Sequence, residues 1–210
     1  MTLTLYVGSK RYSSWSLRPY VALAHTGLAF EEKTILLDRD TTRAEIAKVN
    51  PAMRLPVLYH DGFAIWDSLA ICEYLNELAP DAQLWPADRA RRARARSICA
   101  EMHSGFTALR SNMPMEVCVS RPGQGHTPET LADARRVMEI WREALAASSG
   151  PFLFGRFSIA DAMFAPVTTR FTTYGVELDA TCRAYVDTIA ALSAMQAWRR
   201  DAAAEPASRP

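Results

Sequence analysis

Every strand-like run in this chain of 210 residues falls before Pro80, and beyond Leu84-Trp85-Pro86 the apolar residues recur only at helical spacing. Strands must find partners to satisfy their backbone groups. Those in the first 80 residues therefore have to build one small sheet among themselves, and the rest of the chain has to pack as helices. Residues 2–7 (TLTLYV) alternate in a β-prone run, and residues 8–14 read as a polar loop. A helix is expected from about Trp15, with Pro19 in its first turn, where a missing N–H costs little, and Gly27 as its C-terminal cap. A strand over Lys33–Leu37 completes a βαβ unit, whose crossover is right-handed by rule. A polar helix near Thr42–Lys48 precedes Asn50-Pro51. Val57–His60 and Phe63–Trp66 flank Asp61-Gly62, a dipeptide suited to the positive φ angles of a tight hairpin turn, so these strands are antiparallel neighbours. Leu69, Cys72, Leu75 and Leu78 then form one helical stripe.

The expected order is βαβαββα over residues 1–80, a linker at 81–87, and an all-helical part over 88–210 with helix-length blocks at 88–112, 127–147, 158–174 and 180–200. Hydrophobic residues make up 49% and charged residues 22%, which is enough to fold two cores and excludes disorder. A net charge of +1 supplies no general field for nucleic acid or acidic lipid, so the partner is small or another protein. The first residues lack a basic, then apolar, leader pattern, and no apolar run approaches the roughly 18 residues of a membrane span. A cytoplasmic location with no membrane attachment is the expectation. Cys72, Cys99, Cys118 and Cys182 form no C-x-x-C pair, and His25, His60, His103 and His126 lack metal-ligand spacing, so reduced cysteines and no metal are expected.

Several residues carry chemistry on position alone. Ser13 and Ser14 precede a helix N-terminus, where free N–H groups and the helix dipole favour an anion; either serine can equally cap the helix. Asp67 and Ser68 open a helix directly after a strand. Ser158-Ile159-Ala160-Asp161 has the spacing of a capping box, with a stabilising role. The arginines at 89, 91, 92, 94 and 96 read as a solvated helix face, and Trp141, Trp198, Phe152 and Phe154 as core.

Three segments, in order along nearly the whole chain, resemble the glutathione transferase family. Ser13-Ser14-Trp15-Ser16-Leu17-Arg18 is similar to the S-S-x-S-x-R loop of the zeta class and related bacterial enzymes, with Trp15 where those usually have Cys. Asn50-Pro51-Ala52-Met53-Arg54-Leu55-Pro56-Val57-Leu58 is similar to N-P-x-x-K-V-P-V-L, followed by Asp67-Ser68. Gly155-Arg156-Phe157-Ser158-Ile159-Ala160-Asp161 is similar to G-x-x-x-[ST]-x-A-D. The resemblance implies a thioredoxin-like glutathione-binding domain, an all-α domain with a hydrophobic substrate pocket, and a homodimer packed across the domain seam. It implies glutathione as co-substrate and a detoxifying conjugation of its thiolate to a hydrophobic electrophile. A zeta-type cis–trans isomerase and a non-catalytic glutathione-fold interaction module stand as the alternatives.

On this resemblance Ser13 and Ser14 are the catalytic pair, Ser13 the favoured thiolate donor and Ser14 the favoured helix cap, with Tyr6 and Tyr12 as rival thiol donors. A charged hydrogen bond and a helix end together lower a thiol pKa from about 8.5 by roughly 1 to 3 units. Leu55-Pro56 is implied to be cis, presenting the Val57 backbone to the cysteinyl unit. Arg54 is implied to pair with the glycyl carboxylate, Ser68 with the γ-glutamyl carboxylate and Asp67 with its ammonium. Met102, Phe106, Met113 and Met115 are candidates for the electrophile pocket because flexible thioethers suit a permissive site.

Overall fold

The computed structural model describes residues 2–206. Four strands, β1 (Leu3–Gly8), β2 (Glu31–Ile35), β3 (Val57–His60) and β4 (Phe63–Trp66), form one mixed sheet in the order β2-β1-β3-β4. β1 runs parallel to β2, with Gly8 opposite Ile35, and antiparallel to β3, which pairs antiparallel with β4. Leu3, Leu5 and Val7 turn to the core while Thr4 and Tyr6 stay half-buried, the period-2 pattern of a strand covered on one face. Asp61 and Gly62 both take positive φ, 46° and 88°, as a tight hairpin turn of this hand requires. β2 starts two residues before the expected Lys33. Its ladder ends at Ile35 because β1 ends opposite it at Gly8, and the Leu37 N–H donates instead to Ser9 Oγ at 2.8 Å.

Three helices join this sheet, α1 (Ser14–Thr26), α2 (Thr42–Val49) and α3 (Ser68–Leu78), giving the expected βαβαββα order. Gly27 closes α1 in the left-handed conformation. After a short 3-10 turn at Pro80–Ala82 the chain is helical: α4 (Arg89–Ser104), α5 (Thr107–Asn112), α6 (Pro128–Ala146), α7 (Ile159–Tyr174), α8 (Ala180–Ala190) and α9 (Ser193–Ala204). Asp88, Thr127 and Asp179 each cap a helix start, accepting from Arg91, Thr130 and Cys182 N–H respectively. The single block expected at 88–112 breaks between α4 and α5. Phe106 takes φ of 59° and ψ of 45°, left-handed values that a right-handed helix does not contain, so α4 stops at Ser104. The block at 180–200 is likewise two helices, turning at Ala191-Leu192 without glycine or proline.

α7 is the centre of the molecule, buried along almost its whole length and packed against α1, α4 and α8. Trp141 and Trp198 are fully enclosed; Phe152 and Phe154 are half-buried at the margin of the core rather than in it. Cys72, Cys99 and Cys182 are buried free thiols and Cys118 is exposed. Arg89, Arg91, Arg94 and Arg96 lie on the exposed face of α4, and their partners sit on neighbouring elements: Arg96 pairs with Glu73 of α3 at 3.3 Å and Arg94 with Glu143 of α6. Among the described residues no helix is long and apolar enough to cross a membrane.

Asp161 anchors the start of α7 from complete burial. Its carboxylate accepts from the Ser158 N–H at 2.8 Å, the Ser158 hydroxyl at 2.9 Å, the Leu153 N–H at 3.0 Å and the Tyr185 hydroxyl at 3.2 Å. The carboxylate half of the capping box is thus extended to two further elements.

Candidate functional site

A cavity of about 520 Å³ opens where β3, the β4–α3 junction, the first turn of α1 and α4 converge. Trp15, Arg54, Leu55, Pro56, Asp67, Ser68 and His103 are among its lining residues. The loop entering β3 is held from within by Asn50, which is fully buried. Its side-chain oxygen accepts from the Ala52 N–H at 3.0 Å and its amide donates to the Arg54 carbonyl at 2.8 Å. That internal bracket lets Met53 sit at φ 57° and leaves the Arg54 side chain exposed. The Leu55-Pro56 peptide is cis.

Asp67 also holds a positive φ, 74°, at the strand-to-helix corner. One of its oxygens accepts from the Leu69 and Ala70 N–H groups at 2.9 and 3.2 Å, capping α3, and the other lies 3.1 Å from His103 Nε2 on α4. Burial, reinforced by Arg18 and Arg110 and opposed by Asp67, pushes the His103 imidazolium pKa down. The imidazole is therefore neutral at neutral pH, and its Nε2–H donates to Asp67. Ser68 is buried at the first helical position, 3.5 Å from the Arg18 guanidinium.

Trp15 forms a wall of the cavity and is clasped by cations. Its ring lies 4.2 Å from the Arg18 guanidinium carbon, 4.9 Å from that of Arg110, and edge-on to the His103 ring at 5.1 Å. Arg18 is completely buried, and burial first, then Arg110 and Arg170, pulls its pKa down to about 9.

Ser13 and Ser14 lie beside this cavity but do not line it. Ser13 occupies the N-cap position without capping: its hydroxyl donates to Ser16 Oγ at 2.7 Å, which also accepts from the Gly8 N–H at 3.0 Å. The expectation that Ser14 caps the helix is corrected, because Ser14 is the first residue of α1 and its Oγ accepts from Arg170 Nη2 at 3.1 Å. Val57 is buried within the sheet, paired with both Tyr6 and Trp66. The Tyr6 ring packs on Tyr59 and under the Lys33 ammonium, and Tyr12 is not a lining residue. The loop carrying the serines is pinned by the last helix: Trp198 Nε1 donates to the Lys10 carbonyl at 2.7 Å, and Lys10 Nζ pairs with Asp201 at 2.5 Å and Glu32 at 2.6 Å.

Met102, Met113 and Met115 are fully buried and Phe106 nearly so, and none of them faces the cavity. All four belong to the buried hydrophobic core. The helical part instead contributes His103, whose only trace in the sequence is that it directly follows the apolar Met102 in α4. Asn50 was also missed as a functional residue, although Asn-Pro ahead of a strand is itself a turn signal. Among the described residues no three His, Cys, Asp or Glu side chains stand together as a metal site.

Residues 12–78 match the family model described as Glutathione S-transferase, N-terminal domain, and residues 124–201 match Glutathione S-transferase, C-terminal domain. The chain is 30% identical over 170 residues to a probable maleylacetoacetate isomerase of Caenorhabditis elegans, covering 79% of this chain and 78% of that protein. It is 29% identical over 178 residues to the maleylacetoacetate isomerase of Rattus norvegicus, covering 83% and 80%. Among solved structures, a glutathione transferase homologue from Burkholderia GL BGR1 with bound glutathione superposes at a TM-score of 0.75 and 27% identity, covering 98% of this chain and all of that one, 100%.

Proposed function

The chain belongs to the glutathione S-transferase family, and from that premise we propose that it binds glutathione in the cavity between Trp15 and Ser68 and transfers the glutathione thiolate to a hydrophobic electrophile. The sulfur forms the new bond, the electrophile loses its leaving group or takes the charge into a conjugated system, and the thiol proton goes to solvent. One observation carries the reading: Arg54, Leu55, cis-Pro56, Asp67 and Ser68, separated by up to 14 positions, line one cavity. In this reading Arg54 holds the glycyl carboxylate, Leu55 at the cis-Pro56 turn faces the cysteinyl unit in place of the sheet-paired Val57, Ser68 and the α3 N-terminus take the γ-glutamyl carboxylate, and Asp67 takes its ammonium. The Ser13-Ser14 loop serves the sulfur. We divide the chain accordingly into a glutathione-binding part at 1–80, a linker at 81–87 and a helical part at 88–210.

A second reading, cis–trans isomerisation through reversible thiolate addition, is favoured by the names of the curated relatives. The protein is expected to show glutathione-dependent loss of an activated aryl halide in a spectrophotometric assay. Turnover confined to a cis-configured unsaturated diketone selects the isomerase reading, whereas saturable glutathione binding with neither turnover selects the interaction module. A cytoplasmic homodimer with a detoxifying role is proposed with the family. The exposed Phe63 on the edge strand β4, at 64% exposure, supports a partner copy there.

A further inference from the structure

Two buried arginines end on serine hydroxyls, Arg18 on Ser68, which lines the cavity, and Arg170 on Ser14, which directly precedes the lining residue Trp15. Arg170 on α7 is 3% exposed; its Nε donates to the Met113 carbonyl at 2.9 Å and its Nη2 to Ser14 Oγ at 3.1 Å, while Nη1 has no partner. Arg18 repeats the pattern more weakly, with Nη1 3.5 Å from Ser68 Oγ and both Nε and Nη2 unpartnered. A guanidinium carries donors only. A hydroxyl that meets one must accept there, so its own hydrogen points to some other acceptor.

Among the described residues neither arginine forms a salt bridge with a carboxylate. The groups acting on Arg170 are the Arg110 guanidinium from α5 and the Tyr174 phenol from α7; those acting on Arg18 are Arg110, Arg170, Cys72 of α3 and Cys99 of α4. Asp133 offsets Arg110 alone. A buried cation without a counter-ion is costly, so an anion arriving at this place completes the arrangement. Of the two loop serines, Ser13 has already committed its hydrogen to Ser16. Ser14 has not, and its oxygen is the one polarised by a cation.

We propose that Arg170 is a positioning residue for the glutathione thiolate: by donating to Ser14 Oγ it aims the Ser14 hydrogen at the sulfur and strengthens that hydroxyl as a donor. The inference rests on the glutathione-binding reading and moves the donor from Ser13 to Ser14, with the activating charge supplied across the molecule by α7. No covalent bond other than S–H changes, and the proton passes to solvent.

The test titrates the ultraviolet thiolate absorbance of bound glutathione in the wild type, Arg170→Met, Arg170→Lys, Ser14→Ala and the Arg170→Met/Ser14→Ala double variant, each first checked for glutathione binding by calorimetry. Arg170→Met and Ser14→Ala are each expected to raise the midpoint by about one unit or more. Arg170→Lys should recover part of the shift, and the double variant should go no further than either single one. A residue that merely braces the fold would lower the melting temperature and leave the midpoint in place, and that result overturns the inference. So does full additivity in the double variant. Should Arg170→Met fail to fold, Ser14→Ala decides the matter, since a wild-type midpoint there is equally fatal. A wild type that binds no glutathione overturns the functional reading itself, and this inference with it; binding with unmoved midpoints overturns the inference alone.

Discussion

Asp161→Ala is expected to lower the unfolding free energy by about 3–5 kcal/mol, far more than loss of an ordinary helix cap. The carboxylate is fully buried and receives four hydrogen bonds, two from Ser158 and one each from Leu153 and Tyr185. Alanine leaves those donors in the core with no acceptor, at about 1–3 kcal/mol for each group that cannot relax toward another partner. A denaturant titration should show a lowered midpoint with an unchanged slope. Asp161→Asn retains one acceptor oxygen and should lose less. Burial pushes the Asp161 pKa up to about 6, against the four donors that pull it down. Because the folded state then binds the proton more readily than the unfolded one, the stability contributed by this protonation is fully present below about pH 4 and is lost as pH rises through about 6. The stability gap between the wild type and Asp161→Asn, which cannot titrate, should accordingly narrow between pH 4 and pH 7.

Ser68→Ala should reduce glutathione affinity about 10- to 100-fold, the equivalent of roughly 1.5–3 kcal/mol for a hydrogen bond to a charged group. Arg18 donates to Ser68 Oγ, so the serine hydrogen is available to a carboxylate in the cavity. Alanine removes both contacts and leaves Arg18 with the Trp15 ring as its side-chain partner. Calorimetry reads the loss directly, and a melting curve without glutathione should move little, because the serine caps nothing, Asp67 caps α3, and the Arg18 contact it gives up is a long one of 3.5 Å. Unchanged affinity would remove Ser68 from the site.

What could be read in the sequence divides along physical lines. Local chemistry was legible: Asp61-Gly62 demanded a hairpin, Gly27 a helix end, and Ser158 with Asp161 a capped start for α7. The cavity residues Arg54 to Ser68 were legible because they cluster in one hairpin and its two corners. Properties set by packing across the chain were not. His103 reaches Asp67 only because α4 folds back over the start of α3. Asp161 looked like a simple cap until Leu153 and Tyr185 converged on it. The roles of Ser13 and Ser14 turn on which one Arg170 meets, a contact spanning 156 positions that no local spacing encodes. The four residues offered for the electrophile pocket were right in character and wrong in direction, since packing among helices distant in sequence places them in the core.

The central claim is that the cavity between Trp15 and Ser68 takes glutathione. The direct measurement is an isothermal titration of the wild-type protein with reduced glutathione up to millimolar concentration, repeated with S-methyl glutathione as competitor. The account predicts saturable heat with one glutathione per chain, displaced by the S-methyl compound because the contacts address the peptide ends of the ligand rather than its sulfur. No heat at millimolar glutathione, or binding that the S-methyl compound leaves untouched, would contradict it.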